Sequence, residues 1–302
     1  MQPHVRLYFA GLARNCAPNV AANINALMRI IDANCDCVGS IFVLENDSKD
    51  NTGAILAELQ ALYPTRVRLW RFPGLAAAHS ERISRLAWCR NFLLEQIRVE
   101  ASNGSKNTFY APIDLDGEIA TSLRPEMFWQ AIKALDSSPF HGFFPLSSPF
   151  YYDLLALRKP GWVEADHREL VAAARPRLGW YRALERHVFS HQLPMQAFAG
   201  ESVIPVRSAF GGLGLYHFIA IRDARYTTKW LGHCFECEHV SFNRQIGALA
   251  IYCELIIQAP SDHIEFQLMA GWQRHLFRLT CWLKDRFNQA SMLLQKVFNL
   301  TS

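Results

Sequence analysis

The chain has 302 residues, of which 50% are hydrophobic and 19% charged, and its formal net charge at pH 7 is +4. Such a composition can supply a sizeable core and argues against a predominantly disordered chain. The positive balance is mild and no basic block precedes the C-terminal region, so a nucleic-acid-binding protein is not expected. A mild positive charge suits a phosphate-bearing ligand or an anionic membrane surface.

The eight cysteines are expected to be reduced, because the N-terminus lacks the apolar segment of a secretory signal. Cys234 and Cys237 have the two-residue gap of a zinc knuckle or a redox pair. A structural zinc site usually takes two such pairs, and the sequence contains one. No apolar run reaches the roughly 18 residues of a membrane-spanning helix. A cytoplasmic protein is therefore expected.

The first third of the chain alternates between short apolar runs and helical spacing. The predicted elements are a strand at 5–10, a loop at 12–19, a helix at 20–34, a strand at 40–45, a helix at 55–62, a strand at 67–70, a helix at 83–100, a loop at 102–107 and a strand at 108–113. This alternation indicates a parallel sheet, whose ligands bind beyond the carboxyl ends of the strands. Polar clusters at 11–15 and 46–52 lie at those ends.

The rest of the chain is less regular. The sequence suggests a strand at 151–158, helical content at 181–190, a segment with three glycines at 205–216 and a helix over 271–300. We find no internal repeat.

Asp114-Leu115-Asp116 directly follows the strand predicted at 108–113. Two carboxylates separated by one residue can converge on a hard cation, which can bridge a diphosphate and neutralise a leaving nucleoside diphosphate. By itself the triplet is equally well explained as a solvated turn.

Two further clusters strengthen that interpretation. Residues 45–52 bring many acceptor side chains to a strand end, as a pocket for a nucleobase and ribose requires, although Asp50 or Thr52 could simply cap the following helix. Arg82 and Arg85 share a helical face with Arg90 nearby, and arginine suits bidentate contact with phosphate. A solvated helix face is the alternative.

Three motifs follow one another along the chain: Glu45-Asn46-x-Ser48-x-Asp50-x-Thr52, Leu86-Ala87-x-x-Arg90-Asn91 and Asp114-x-Asp116. In this order they resemble a GT-A-type glycosyltransferase. They are most similar to the fungal capsule-associated α-1,3-mannosyltransferase family and its bacterial relatives. The stretch Tyr152-Asp153-x-x-Ala156-Leu157-Arg158 resembles the family's segment after the acidic motif, whereas residues 159–200 have no obvious counterpart, which leaves mannose open as the donor sugar.

The resemblance implies a GT-A-like, Rossmann-like α/β fold with a mostly parallel central sheet flanked by helices. It also implies a GDP- or UDP-sugar donor, Mn²⁺ or Mg²⁺, and transfer of the sugar to a hydroxyl. Carried over by position, the assignments are Glu45 and Asp47 near the base and ribose, Arg85 or Arg90 at the diphosphate or sugar, and Asp114 and Asp116 at the metal. Asp116 is the better metal ligand, while Asp114 is alternatively a ligand of the ribose or of the metal's water shell.

The later residues supply partners for this site. Gly211 and Gly212 resemble a loop that lines the donor sugar, although a tight turn between strands is the alternative. Glu238 is a candidate base or acceptor-positioning group, and Asp153 is a second catalytic candidate. His239 could complete the metal shell as a neutral imidazole, unless it is only a polar surface residue. A base at the anomeric centre would imply inversion, and an orienting role leaves retention open.

We predict one catalytic domain over 1–270, with a nucleotide-sugar half at 1–120 and an acceptor half at 121–270. The acceptor is expected to be a glycan or a lipid-linked sugar in bacterial surface polysaccharide or lipopolysaccharide synthesis. A sugar-nucleotide-binding protein without turnover, or a metal-dependent nucleotidyl- or phosphotransferase, remains an alternative.

Residues 271–302 form a predicted basic amphipathic helix. Such a helix can lie on the inner face of the cytoplasmic membrane. Packing on the domain, or on a second subunit in a homodimer, is the alternative that we favour.

Overall fold

A computed structural model describes residues 5–101 and 107–300, with side chains as far as Phe287. Eight strands form one sheet in the order β3-β2-β1-β4-β7-β5-β8-β6. The strands are β1 (Val5–Ala13), β2 (Cys37–Glu45), β3 (Val67–Arg71), β4 (Thr108–Asp114), β5 (Gly142–Ser148), β6 (Val203–Val206), β7 (Leu215–His217) and β8 (Leu249–Gln258).

Helices pack on both faces of this sheet. They are α1 (Ala17–Asp32), α2 (Thr52–Leu62), α3 (Leu75–Ala78), α4 (Arg82–Ala101), α5 (Ile119–Ser122), α6 (Pro125–Asp136), α7 (His167–Leu178), α8 (Trp180–His187), α9 (Glu238–Asn243), α10 (Glu265–Leu268) and α11 (Gly271–Leu300). Neighbours among β1–β4 are parallel, and so are β5 and β8. Strand β7 lies antiparallel between β4 and β5, and β6 lies antiparallel to β8 at the edge of the sheet. The predicted class, a mostly parallel sheet flanked by helices, is confirmed.

The regular half follows from the alternation of side chains along apolar strands. In β1, Leu7 and Phe9 join the core beneath α1 and α6, whereas Tyr8 and Ala10 join the core beneath α4. The strand runs on to Ala13, beyond the predicted end at residue 10, because Leu12 still pairs with β2 and β4. The parallel alignment brings the ends of β1, β2 and β4 to one edge.

The second half corrects one expectation. The segment 151–158 is a turn rather than a strand, and Arg158 alone forms a bridge, to Ser208. The middle of the segment bonds locally: the Leu154 amide donates to the Tyr152 carbonyl and the Ala156 amide to the Asp153 carboxylate. The apolar side chains that suggested a strand are buried, but the backbone that carries them is irregular.

The remaining predictions concern the end of the chain and one loop. The helical content expected at 181–190 is α8, and the tail is helical as α11. No helix in the described part of the chain is long and apolar enough to cross a membrane. Except for Asn107, the loop predicted at 102–107 lies outside the described residues.

Candidate active site

A cavity of about 490 Å³ opens at the carboxyl ends of β1 and β4 and is walled on the other side by residues from the second half. The predicted site residues that line it are Arg85, Arg90, Asp114, Asp116, Asp153, Glu238 and His239. Side chains that are far apart along the chain therefore meet beside the sheet edge that the sequence identified: Arg90 and Glu238, which are in contact, are 148 residues apart.

The acidic triplet is held by its backbone. The Asp114 amide donates to the Gly212 carbonyl at 2.9 Å, and Asn23 of α1 donates to the carbonyls of Leu115 and Gly117 at 3.1 and 2.7 Å. Leu115 is fully buried and fills the space beside Gly11, where a Cβ would lie 2.4 Å from Leu115 Cδ1. With its middle residue fixed inward, the triplet presents both carboxylates to the cavity.

Arg90 joins the two halves of the site. Its Nη2 lies 3.2 Å from Asp114 Oδ1 and its Nε lies 3.1 Å from Glu238 Oε1, while the guanidinium sits 5.0 Å above the ring of Phe210. The Arg90 and Glu238 side chains are only 6% and 3% exposed. A buried arginine between two carboxylates fixes the position of both.

Two further carboxylates, those of Asp116 and Asp153, lie near Asp114, which already pairs with Arg90. Burial, together with the nearby charges of Asp116 and Asp153, raises the pKa of the Asp114 carboxyl to about 7 against the lowering effect of Arg90. Its side chain is still 36% exposed toward the cavity. A cation in this cavity would relieve the repulsion among the carboxylates.

The residues fit a hard divalent cation that the substrate helps to bind. Asp114 and Asp116 offer the carboxylate oxygens that Mg²⁺ and Mn²⁺ prefer. Among the described residues, no group of three His, Cys, Asp or Glu side chains is placed to hold a metal ion. Mg²⁺ is commonly bound in this way, by one or two carboxylates plus substrate phosphates.

The predicted ligand set of Asp114, Asp116 and His239 is therefore not assembled. Arg90 occupies the space between Asp114 and Glu238, and His239 lies on the far side, with Nε2 3.8 Å from Glu238 Oε1. The imidazole stacks on Phe210 at 3.6 Å, and burial, followed by Arg90, lowers its pKa well below the ordinary value. His239 is a neutral ring whose two nitrogens have no hydrogen-bond partner among the described residues.

Asp153 is oriented by the glycine turn. The Gly211 amide donates to Asp153 Oδ2 at 2.8 Å, and the Ala156 amide donates to Oδ1 at 3.2 Å. Gly211 and Gly212 have φ of +61° and +80°, the left-handed region that favours glycine. Neither glycine borders the cavity, although Phe210 beside them does. Gly211 holds the Asp153 carboxylate and Gly212 holds the Asp114 backbone, whereas both glycines were predicted to line the donor sugar.

Glu45 and Asp47 also lie outside the cavity wall, while Asn46 between them is part of it. The Glu45 carboxylate accepts from the Ser48 amide at 2.9 Å and pairs with Arg71 at 3.3 Å. Asp47 accepts from the backbone amides of Gly74 and Ala76. Both predicted ligands of the base and ribose shape the loop that positions Asn46.

Several cavity residues were not among the predicted site residues. Arg14 belongs to the polar cluster after β1, so its position at a strand end was a usable signal. Arg168 and His167 come from the start of α7, in a segment without any recognisable pattern. Asn23 does not line the cavity and lies inside a helix, and its role in holding the triplet shows only through its two carbonyl contacts.

No protein-family model and no curated protein matches the chain. Among solved structures, the mannosyltransferase PcManGT from Pyrobaculum calidifontis, in complex with GDP-Man and Mn²⁺, is similar at 12% identity and a TM-score of 0.48 over 85% of this chain and 57% of that one. S. aureus TarS 1-349 is similar at 11% identity and 0.45 over 87% and 62%. Glucosyl-3-phosphoglycerate synthase from Mycobacterium tuberculosis with UDP is similar at 13% and 0.35 over 84% and 69%.

The chain thus spans less than two thirds of the length of the first two of these proteins. At such identities and TM-scores, no residue role is carried over from them.

Proposed function

We propose that the protein is a metal-dependent glycosyltransferase that uses a nucleotide-sugar donor. The observation that carries the proposal is the shared cavity of about 490 Å³, in which two carboxylates at the end of β4 meet arginine side chains from the loop after β1, from α4 and from α7. A volume of this size is typical of sites for small organic ligands. Carboxylates beside arginines suit a diphosphate that is bound together with a divalent cation.

Each wall then has a role in donor binding. Asn46 offers an amide to the nucleobase or ribose at the end of β2. Arg82 and Arg85, in the first turn of α4, line the cavity and would contact the diphosphate. Arg85 is oriented by its bond to the His79 carbonyl at 2.6 Å. Asp116 would hold Mn²⁺ or Mg²⁺, with Asp114 beside it.

The cation, when bound, would neutralise the charge that develops on the departing nucleoside diphosphate. The chain's own contribution is to hold the two carboxylates in place and to keep Asp114 paired with Arg90. Arg90 therefore acts as a positioning residue. Its guanidinium is already paired with Asp114 and Glu238 and fixes these two side chains, so it is not free to bind a ligand.

For the acceptor hydroxyl, Asp153 is better placed than Glu238 to accept a proton. Each Asp153 oxygen receives one backbone amide and keeps acceptor capacity toward the cavity. Glu238 is buried and engaged by Arg90 and by the Cys237 thiol. We assign Glu238 to positioning and Asp153 to general base catalysis.

The finer assignments rest on the sequence resemblance. They are a GDP- or UDP-hexose donor, a glycan or lipid-linked acceptor, and a place in bacterial surface polysaccharide synthesis, as in the bacterial relatives of the fungal capsule-associated mannosyltransferases.

The test is a screen of GDP- and UDP-sugars with the full chain, in which release of nucleoside diphosphate is measured with Mn²⁺, with Mg²⁺ and with chelator. We expect one donor to be consumed only with metal, and Asp116→Asn to slow turnover by about 10²–10³-fold, the scale of losing one electrostatic contact to developing charge. Asp223→Asn is the matched control, because that carboxylate is 92% exposed and does not line the cavity.

Three results would overturn the proposal. Tight donor binding without turnover under any condition would indicate a sugar-nucleotide-binding protein. Release of pyrophosphate instead of nucleoside diphosphate would indicate a nucleotidyltransferase. Full activity of the Asp116→Asn variant would show that the metal site is not at the end of β4.

A further inference from the structure

The outward face of α11 carries a continuous apolar stripe. Its members recur at steps of three and four residues and are between 42% and 72% exposed: Trp272, Leu276, Leu279, Leu283 and Phe287. With 3.6 residues per turn, such steps keep side chains on one side of a helix. Seven of the twelve large exposed apolar side chains among the described residues lie between 268 and 287.

The opposite face of α11 is the one that packs on the protein. Phe277 lies in an aromatic cluster with Tyr181, Phe189 and Phe266, and Cys281 is buried. Asp285 accepts from Arg175 at 3.1 Å. These contact residues are half a turn away from the stripe, so the helix is docked by one side and offers its more apolar side outward.

The charge of the C-terminal segment indicates which kind of surface the stripe contacts. Residues 271–302 contain five basic side chains and one acidic side chain, so this segment carries a charge of +4, which is the net charge of the whole chain. The other 270 residues are therefore neutral in sum. Lys284 and Arg286 flank the stripe on its two sides, and both are exposed. Two copies joined through this face would bring like charges together, whereas an anionic surface would complement them.

We propose that α11 docks the protein on an anionic lipid bilayer, with the stripe inserted at the headgroup boundary and Lys284 and Arg286 on the phosphates. Arg274 and Arg278 lie over the rings of Phe266 and Tyr181 on the packed side and add to the positive charge of the helix. An apolar face with tryptophan, flanked by lysine and arginine, is the combination that holds a helix in the plane of a membrane interface. The proposal depends on α11 alone and stands whether or not the cavity transfers sugar.

The experiment is co-sedimentation of the full chain with vesicles of phosphatidylcholine alone and of equimolar phosphatidylcholine and phosphatidylglycerol. We expect binding to the anionic vesicles that weakens as salt is raised. The variant Leu276→Gln/Leu279→Gln/Leu283→Gln should lose at least about ten-fold in partitioning, since it removes most of the inserted apolar area. Its substitutions are at exposed positions, so donor binding should be unchanged.

The matched control is Val38→Gln/Leu62→Gln/Ile219→Gln, which removes three apolar side chains outside α11 that are more exposed than the three replaced in α11, and it should bind vesicles like the parent. Quenching of tryptophan fluorescence by brominated lipid gives a second readout on the unmodified chain, through Trp272 and Trp282. Absence of vesicle binding by the parent, or equal loss in both triple variants, would overturn the proposal. The proposal would also be overturned if sedimentation velocity showed that the parent is a dimer and that the α11 triple variant is a monomer, and if the parent did not co-sediment with vesicles.

Discussion

The two halves of the sheet hold their share of the cavity by different means. On the β1–β4 side, the strands run parallel, and Asp114 and Asp116 reach the cavity because a regular strand ends there. On the other side, Asp153 and Glu238 lie in or beside short irregular segments. Their positions depend on side chains that bond to distant backbone, as in the contact between Asp153 and Gly211.

The comparison teaches where the site is sensitive. A strand end is supported by the whole ladder, so the first half should tolerate the loss of single contacts. The second half has few ladder bonds near the cavity and depends on individual contacts such as those of Asn243 with Ser208 and Ala209. Arg90 is the joint between them, since it pairs with both halves.

The largest effect is expected at this joint. Arg90→Met leaves the buried Glu238 carboxylate and Asp114 without their cation, and we expect the free energy of unfolding to fall by about 3–5 kcal/mol, with turnover abolished. Urea denaturation measures it. Arg66→Met is the control, because its pair with Asp32 is 40% and 56% exposed and should contribute less than about 1 kcal/mol. Equal losses in the two variants would contradict a joint at Arg90.

The glycine turn tests the irregular half. A Cβ at Gly212 would lie 2.9 Å from both Ile119 Cγ1 and Tyr152 Oη, at φ +80°. Gly212→Ala should therefore lower the free energy of unfolding by about 2–4 kcal/mol, through backbone strain and overpacking. Gly161 has φ +77° with open space around it, so Gly161→Ala should lose only about 1 kcal/mol. If the two variants melt together, crowding at the turn is not a constraint.

The support of the acidic triplet tests the regular half. Asn23→Ala removes both bonds to the carbonyls of Leu115 and Gly117, and we expect a loss of about 1–2 kcal/mol because those carbonyls become underbonded. The Mn²⁺ concentration for half-maximal turnover should rise as the triplet loosens. Asn51→Ala, at an exposed position without a side-chain capping bond, should stay within about 0.5 kcal/mol. An unchanged metal requirement would mean that the strand end holds the triplet alone.

The smallest effect concerns a loop of the second half and depends on pH. Glu169 accepts from the His233 side chain and from the amides of His233 and Cys234, and these bonds, led by that of the side chain, lower the pKa of its carboxyl from 4.5 to about 2. A lowered folded-state pKa stabilises the protein above about pH 4.5, and this contribution is lost as the pH falls toward 2.

Glu169→Gln should therefore be less stable than the parent at pH 7, with a difference that disappears on acidification to pH 2, as followed by urea midpoints. Glu185→Gln on α8 is the control. A difference that stayed constant across this range would assign the effect to packing rather than to charge.

The sequence by itself determined the regular half of this protein. Apolar runs that alternate with helical spacing specify β1–β4 and their helices, because buried parallel strands and amphipathic helices have different periods. The carboxyl ends of such strands meet at one edge, so Asp114, Asp116 and the arginines of α4 could be assigned to one site. The strand predicted at 151–158 was wrong, because apolar content indicates that side chains are buried but does not determine the backbone conformation.

Only the tertiary structure decided how the second half completes the cavity. Arg90 and Glu238 are 148 residues apart, and Asp153 and Gly211 are 58 apart. The tertiary structure also decided that His239 stacks on the ring of Phe210, and which side of α11 packs and which side faces outward. A local pattern reports the period of burial, whereas these pairings depend on where irregular segments come to lie once the sheet has closed.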